Sequence, residues 1–244
     1  MISHAGLTYG GIIHKPNEYL EVVESVFHCL LEFLKSNDFL ELRVKLPPYF
    51  YHTKYTTAQD FLFFINGVNS YKRDINFVVP LNNINLHKSK SKAQKNGTFS
   101  SLELKEEDSL DAFWNSVLIP VLKTNYNSTP VHSLEEIKLL KQKFPTNIVQ
   151  FNAYQGENIV AGMTLFISGK VVKSQYGVVT TVGKKYKALD YIYLELYKKY
   201  KELGYLYFDL GTTTTKDGYN SGLTRYKEEL GGNPVNLDYY SLKI

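Results

Sequence analysis

The chain holds a single cysteine, Cys29, among its 244 residues. One thiol cannot build an internal disulfide framework or a cysteine-based zinc site. Cys29 falls within a segment of helical hydrophobic spacing, so it reads as a core thiol rather than a nucleophile. Arginine is almost as scarce: Arg43, Arg73 and Arg225 are the only ones, and nearly all the positive charge is lysine. Base-specific readout favours bidentate arginine, so DNA recognition is not expected, while a mild attraction to phosphate is retained. Basic residues number 28 against 24 acidic ones, a net charge of +4. No run approaches the roughly 18 apolar residues of a membrane span. The opening MISHAGLTYGG has neither the charged region nor the apolar core of a secretory leader. The expectation is therefore a folded, soluble, cytoplasmic protein. The six histidines show no metal-ligand spacing, so no metal is expected.

What is present is ample material for a core, with 43% apolar and 14% aromatic residues. The spacing predicts a helix over 17–36, with Leu20, Val23, Phe27, Leu30, Leu31 and Leu34 on one stripe and Asn17 as its cap behind Pro16. Leu40, Leu42, Val44 and Leu46 alternate with charged residues as in a strand that Pro47 and Pro48 end. A short buried helix over 58–68 and a strand over 73–81 follow. Residues 87–98 are basic and acid-free, with Lys88, Lys92 and Lys95 on one helical face, and read as a connecting segment between a unit at 1–86 and another at 99–244. That face would meet a phosphate or simply be solvated.

The second unit is more legible. A helix is expected over 109–123, with Pro120 marking a kink or end, and a capping box of Ser133 and Glu136 opens another that Pro145 stops. Three strands between Ile148 and Thr180 form an antiparallel meander. A long helix over 187–203 buries Leu189, Ile192, Leu196, Tyr200 and Leu203, and YLYFDL then makes a buried strand. After it come a loop of Thr212 to Thr215 with Gly211 and Gly218, a helix over 221–230 with Asn220 at its cap position, and a terminal strand.

The order of these elements looks like the GNAT acyltransferase fold. SHAGLTYGG at 3–11, PVH at 130–132, QY at 175–176, FDLG at 208–211 and NSGLTRYKEELGG at 220–232 together resemble its FemAB-like branch. That branch pairs two such domains and includes peptidoglycan aminoacyltransferases and acetyltransferase-like proteins of envelope-sugar pathways. The resemblance implies an α+β fold with a mixed central sheet flanked by helices, preceded by a partial second GNAT-like unit. Relatives carry a substantial segment ahead of the SHAGLTYGG-like stretch, and here the chain starts at it. The pyrophosphate signature of the superfamily survives only as the degenerate VGKKYKAL at 182–189.

In such a fold the strand before the long helix diverges from the strand after it, and an extended thioester fills the gap as an added strand. Phosphate is expected at the start of the long helix, helped by its dipole and by Lys184, Lys185 and Lys187. Donor contacts are thus expected at Val178, Val179, Gly183, Lys184, Lys185, Tyr186, Lys187 and Asn220. Acyl transfer to an amine needs a free nucleophile, a donor for the oxyanion and a proton for the leaving group. A backbone N–H between Gln175 and Val179 answers the second need. Tyr176, Asp209 and His132 are candidates for proton transfer, each with a structural alternative in packing or capping. The resemblance lays the lysine of a pattern like F-K-x-x-F-G-G on Lys227, with Tyr226 in the place of the aromatic, where Lys227 would neutralise phosphate or the oxyanion. His4, Thr8, Tyr9, Tyr51, His52, His132 and Thr212 are expected on the acceptor side.

Three readings follow. In the first, an acyl-CoA such as acetyl-CoA donates to an amine on a nucleotide-linked or envelope sugar. In the second, an aminoacyl-tRNA donates to a peptidoglycan precursor. In the third, the chain is a noncatalytic binding module whose open sheet edge a second copy completes as a homodimer.

Overall fold

The computed structural model describes residues 1–4 and 8–244; Ala5, Gly6 and Leu7, inside the SHAGLTYGG stretch, lie outside the described residues. The chain packs as two compact units, Met1–Asn76 with Pro234–Ile244, and Phe77–Asn233.

The first unit opens with α1 (Leu20–Ser36), whose buried stripe is Val23, Phe27 and Leu34. Its N-cap is Tyr19, with no side-chain cap bond, while Asn17 instead accepts a hydrogen bond from Lys54 Nζ at 3.1 Å. Cys29 is exposed, contrary to the sequence expectation. It stands two residues beyond the buried Phe27, about 200° round a helix, and so faces away from the core stripe. Then come β1 (Glu41–Lys45), a 3-10 turn (Tyr49–Tyr51), α2 (Ala58–Ile65) and β2 (Asn69–Pro80), whose end, from Phe77, belongs to the second unit. Leu42, Val44 and Leu46 are buried as the alternation requires, and Leu40, ahead of β1, is exposed.

The second unit continues with α3 (Lys88–Lys95) and β3 (Leu102–Glu107), a mostly charged strand whose alternation is limited to Leu102 and Leu104 and which was not expected from the sequence. α4 (Asp111–Phe113), a π-helical turn (Trp114–Leu118) and α5 (Ile119–Tyr126) run on from one another. Pro120 sits in the first turn of α5, where its missing N–H costs little, and the widened turn before it absorbs the irregularity. α6 (Leu134–Lys143) begins at the expected capping box, with both reciprocal bonds formed. The meander is β4 (Ile148–Gln155), β5 (Asn158–Ser168) and β6 (Val171–Val179), its turns made by Gly156 and Gly169 at positive φ. α7 (Thr181–Lys185), α8 (Ala188–Glu202), β7 (Tyr207–Thr212), the small hairpin of β8 (Thr214–Thr215) and β9 (Gly218–Tyr219), and α9 (Ser221–Glu229) complete it. The last strand, β10 (Asn233–Lys243), pairs antiparallel with β1 in the first unit.

The second unit is a mixed sheet flanked by helices, in the order β7-β6-β5-β4-β3 with the end of β2 beside β7. β3 to β6 are antiparallel, and β6 pairs with β7 in parallel. Tyr176 and Val178 of β6 join a core with Phe113, Trp114, Val117 and Ile137 on one face. Gly177, between them, points the other way, and a Cβ there would lie 3.8 Å from the Tyr193 hydroxyl of α8. Tyr193 and Tyr197 pack on Phe208 of β7 with centroids 5.9 and 5.0 Å away, and Leu203 past the helix end is exposed. No helix among the described residues is long and apolar enough to cross a membrane.

Candidate functional site

The register between β6 and β7 is Val171↔Tyr207, Val172↔Phe208, Lys173↔Asp209, and it stops there. Just beyond, Leu165 of β5 faces Ser174 and Thr164 faces Tyr176, so Gln175 is an extra residue bulged out of β6. A bulge sharpens local twist and bends the strand that carries it. From Tyr176 to Val179, β6 keeps its β5 partners, and beyond Lys173 it has no register partner in β7 among the described residues. The ladder between the two strands thus ends where the sequence expectation places the opening of a wedge.

At the apex, Lys173 Nζ lies 3.0 Å from Asp209 Oδ2, and the Gly211 amide donates to Asp209 Oδ1 at 2.8 Å. Asp209 is fully buried. Lys227, near the end of α9 and only 6% exposed, donates from Nζ to the carbonyl oxygens of Gly211 at 2.8 Å and Thr212 at 2.9 Å. Burial pulls the Lys227 ammonium down to about 8, with the Asp209 charge opposing and Lys173 adding to the fall. On the α8 side the Tyr193 hydroxyl donates to Ser174 Oγ at 3.4 Å, and burial pushes Tyr193 up to about 12. Asp209 and Lys227 are therefore brought together.

Tyr176 stands apart from that pair. Its ring meets Trp114 edge-on at 5.0 Å, its hydroxyl is 2.6 Å from His132 Nδ1, and it accepts from the His132 amide at 3.2 Å. Below it runs a buried polar chain in which Trp114 Nε1 donates to Thr164 Oγ1 and Thr164 Oγ1 to Gln150 Oε1.

Beyond Val179, at the end of β6, lies a cleft of about 300 Å³ lined by Lys90, Lys184, Lys187, Asp190, Tyr226 and Glu229, among others. Lys184, Lys185 and Lys187 are exposed, Tyr186 caps α7, and Lys187 has a left-handed backbone with φ 53°. Gly183 has a packing reason to be glycine: a Cβ would stand 2.2 Å from the Val160 carbonyl oxygen. Asn220 Oδ1 caps α9 by accepting from the Leu223 amide, and Thr212 Oγ1 accepts from the Thr214 amide. Lys90, which the sequence offered only as one lysine of the basic connecting segment, enters the cleft wall from α3 and is buried. Its Nζ sits 2.9 and 3.0 Å from the two Asp190 carboxylate oxygens, 3.6 Å from Glu229 and 4.5 Å from the Tyr226 ring centroid. The Tyr226 hydroxyl donates to Asp190 Oδ1 at 2.9 Å, and burial followed by the Asp190 charge pushes Tyr226 well above the ordinary tyrosine value.

In the first unit, Tyr9 and Tyr51 have centroids 5.2 Å apart, with Lys45 Nζ 5.2 Å from the Tyr9 centroid. Tyr51 and His52 share a groove of about 200 Å³ with His14, Lys54 and Gln59. His52 Nε2 is 3.3 Å from the Pro47 carbonyl oxygen, and Thr8 is exposed. His4, bonded to Ser3 Oγ, lines a separate cavity of about 180 Å³. Gln59, missed in the sequence, clamps Ile12 by accepting from its amide at 2.7 Å and donating to its carbonyl at 2.9 Å. The only sequence signal for Gln59 was a polar residue in a helix otherwise read as buried.

No family model and no curated protein matches the chain. Solved structures do. FemX superposes with a TM-score of 0.74 over 98% of this chain and 82% of its own, at 10% identity. L-PGS from Bacillus licheniformis gives 0.62 over 92% and 74%, at 13% identity. A tandem GNAT protein from the clavulanic acid biosynthesis pathway, solved without AcCoA, gives 0.50 over 95% and 73%, at 10% identity. The fold is thus of the FemX and tandem GNAT kind, as the FemAB-like resemblance implied.

Proposed function

We propose that the chain is an N-acyltransferase that admits an extended acyl donor between β6 and β7 and passes the acyl group to an amine. The observation that carries this is the register that ends after Lys173↔Asp209, with the Gln175 bulge turning β6 away. A donor lying along the open edge of β6 completes the ladder as an added strand. With an acyl-CoA, the amine nitrogen forms the C–N bond, the carbonyl oxygen meets an N–H between Gln175 and Val179, and the C–S bond breaks. In this reading Tyr176 gives the thiolate its proton and recovers one from the nitrogen through His132, 2.6 Å away. Lys227 supplies positive charge beside the wedge. Lys184, Lys185 and Lys187 carry the donor phosphates. A nucleotide-linked or envelope sugar bears the amine.

One observation favours a second donor. The cleft at the start of α8 is walled by the carboxylates of Asp190 and Glu229, with Lys90 tying them together. A pyrophosphate placed there meets those carboxylates as well as Lys184 and Lys187, whereas the uncharged ester of an aminoacyl-tRNA is not opposed by them. Thermal shift separates the readings, because only a ligand that prefers the folded chain raises its melting temperature. Stabilisation by acetyl-CoA or coenzyme A supports the acyl-CoA donor, and stabilisation by tRNA alone supports the aminoacyl ester. No shift with either ligand, in a protein that melts cooperatively, overturns both and leaves the binding-module reading.

A further inference from the structure

Asp209 and Lys227 are linked through a single residue. Asp209 Oδ1 accepts from the Gly211 amide, and the Gly211 carbonyl accepts from Lys227 Nζ, both at 2.8 Å. Gly211 has φ 78°, a left-handed turn that glycine adopts freely and that needs a hydrogen bond to fix it within a mobile range. The other Asp209 oxygen is held by Lys173 at 3.0 Å, from the opposite strand of the same last rung. Both carboxylate oxygens thus face groups that orient them: an amide on one side, an ammonium on the other.

We infer that Asp209 is a positioning residue and not the general base, acting with Lys173 through the Gly211 turn to hold the Lys227 ammonium against the open end of β7. A general base needs an oxygen directed at the nucleophile, within hydrogen-bond reach of its proton. Here each oxygen is already engaged by one of the chain's own groups, and the carboxylate is fully buried. The charged and titratable groups around this centre include Lys173 from β6, Asp209 from β7, Lys227 from α9, and Tyr193 from α8, whose hydroxyl reaches Ser174 and which also feels the charge of Asp190. Lys173 neutralises Asp209, so the carboxylate can be buried without an orphan charge. Lys227 then receives a fixed pair of carbonyl acceptors, at Gly211 and Thr212, in place of water. An ammonium held this way needs no reorganisation when negative charge develops beside it, which is what makes a preorganised cation effective.

The assignment rests on the acyl-transfer reading for its role, but the chain of bonds is testable without any substrate. The full chain is labelled with isotopic lysine, and the Lys227 Nζ signal is identified by its loss in Lys227→Arg. Asp209→Asn and Asp209→Ala are each combined with Lys173→Met, so that no orphan charge unfolds the protein. Asparagine retains an oxygen for the Gly211 amide, and alanine does not. The expected result is Gly211 amide exchange within about 3-fold of wild type in the asparagine double variant and at least about 10-fold faster in the alanine one, with a displaced Lys227 Nζ signal only in the latter. In a working transfer assay, the asparagine double variant keeps turnover within about 10-fold of Lys173→Met alone, and the alanine one loses about 100-fold in kcat with little change in KM. Unchanged Gly211 exchange and an unchanged Lys227 signal in the alanine double variant would overturn the link. Equal loss of kcat in both variants, with Gly211 still protected in the asparagine one, would make Asp209 the base. If no donor and acceptor react, the proposed function fails and the exchange measurement alone decides the link.

Discussion

Lys173 and Asp209 face each other twice, as the last register pair of β6 and β7 and as side chains joined from Nζ to Oδ2 at 3.0 Å. The ion pair clasps the strands where the ladder ends, and the bulge two residues further on turns β6 away from that register. Apex and opening are therefore set by separate devices, which makes the opening removable by itself.

Deleting Gln175 restores an unbroken register between β5 and β6 and lets β6 continue along β7. The expected outcome is a folded protein with an equal or higher melting temperature that has lost its stabilisation by whichever donor raises it in the wild type. Thermal shift with acetyl-CoA and with tRNA checks it; retention of the full ligand shift would mean that the wedge does not receive the donor.

Lys227 carries a pH signature with a defined sign. Burial lowers its value in the folded state from 10.5 to about 8, so between those limits the unfolded chain binds more protons and stability rises with pH. The rise is on the order of 3 kcal/mol at most and is absent from Lys227→Met. Urea midpoints of the two proteins across this range measure it. Transfer that needs the charged form falls over the same range, as pH passes about 8.

The Lys90 and Asp190 side chains are both buried, so removing one leaves a charge without its partner. Lys90→Met is expected to cost about 3 to 5 kcal/mol and Lys90→Met with Asp190→Leu much less, because a buried pair replaced as a whole sheds both desolvation penalties. A double-mutant cycle in denaturant reads the coupling. Additive losses would show that the pair contributes nothing beyond its separate side chains.

Gly183→Ala places a methyl group 2.2 Å from the Val160 carbonyl oxygen, a contact that only backbone movement relieves. A loss of roughly 2 kcal/mol or more is expected, in the range of overpacked or strained sites. Chemical denaturation tests it. A neutral effect would return Gly183 to the role the degenerate phosphate motif implied, close approach of the backbone to a ligand.

Helix periodicity located α1 and α8, the capping box located the start of α6, and the small-residue loop located the turn before α9. These are signals between residues a few positions apart, so the chain writes them directly. β3 escaped because LELKEE carries four charged residues and only two apolar ones, Leu102 and Leu104, too short an alternation to stand out, and a strand at the edge of a sheet needs no continuous apolar face to be paired. Cys29 was misplaced because helical phase, and not merely membership of a helix, decides burial.

The sequence by itself determined the order of the main helices and strands apart from β3, the small-residue turn at Gly211 and the lysine at 227, since each is a matter of residue type and local spacing. Tertiary structure alone decided that Lys90 would meet Asp190 across 100 positions, that Lys173 would hold Asp209 across 36, and that β6 would leave β7 after three pairs. Those outcomes depend on which buried charges find partners and where a ladder is interrupted. Both are settled only when distant strands and helices pack, because the free energy of a buried ion belongs to its surroundings and not to its neighbours in the chain.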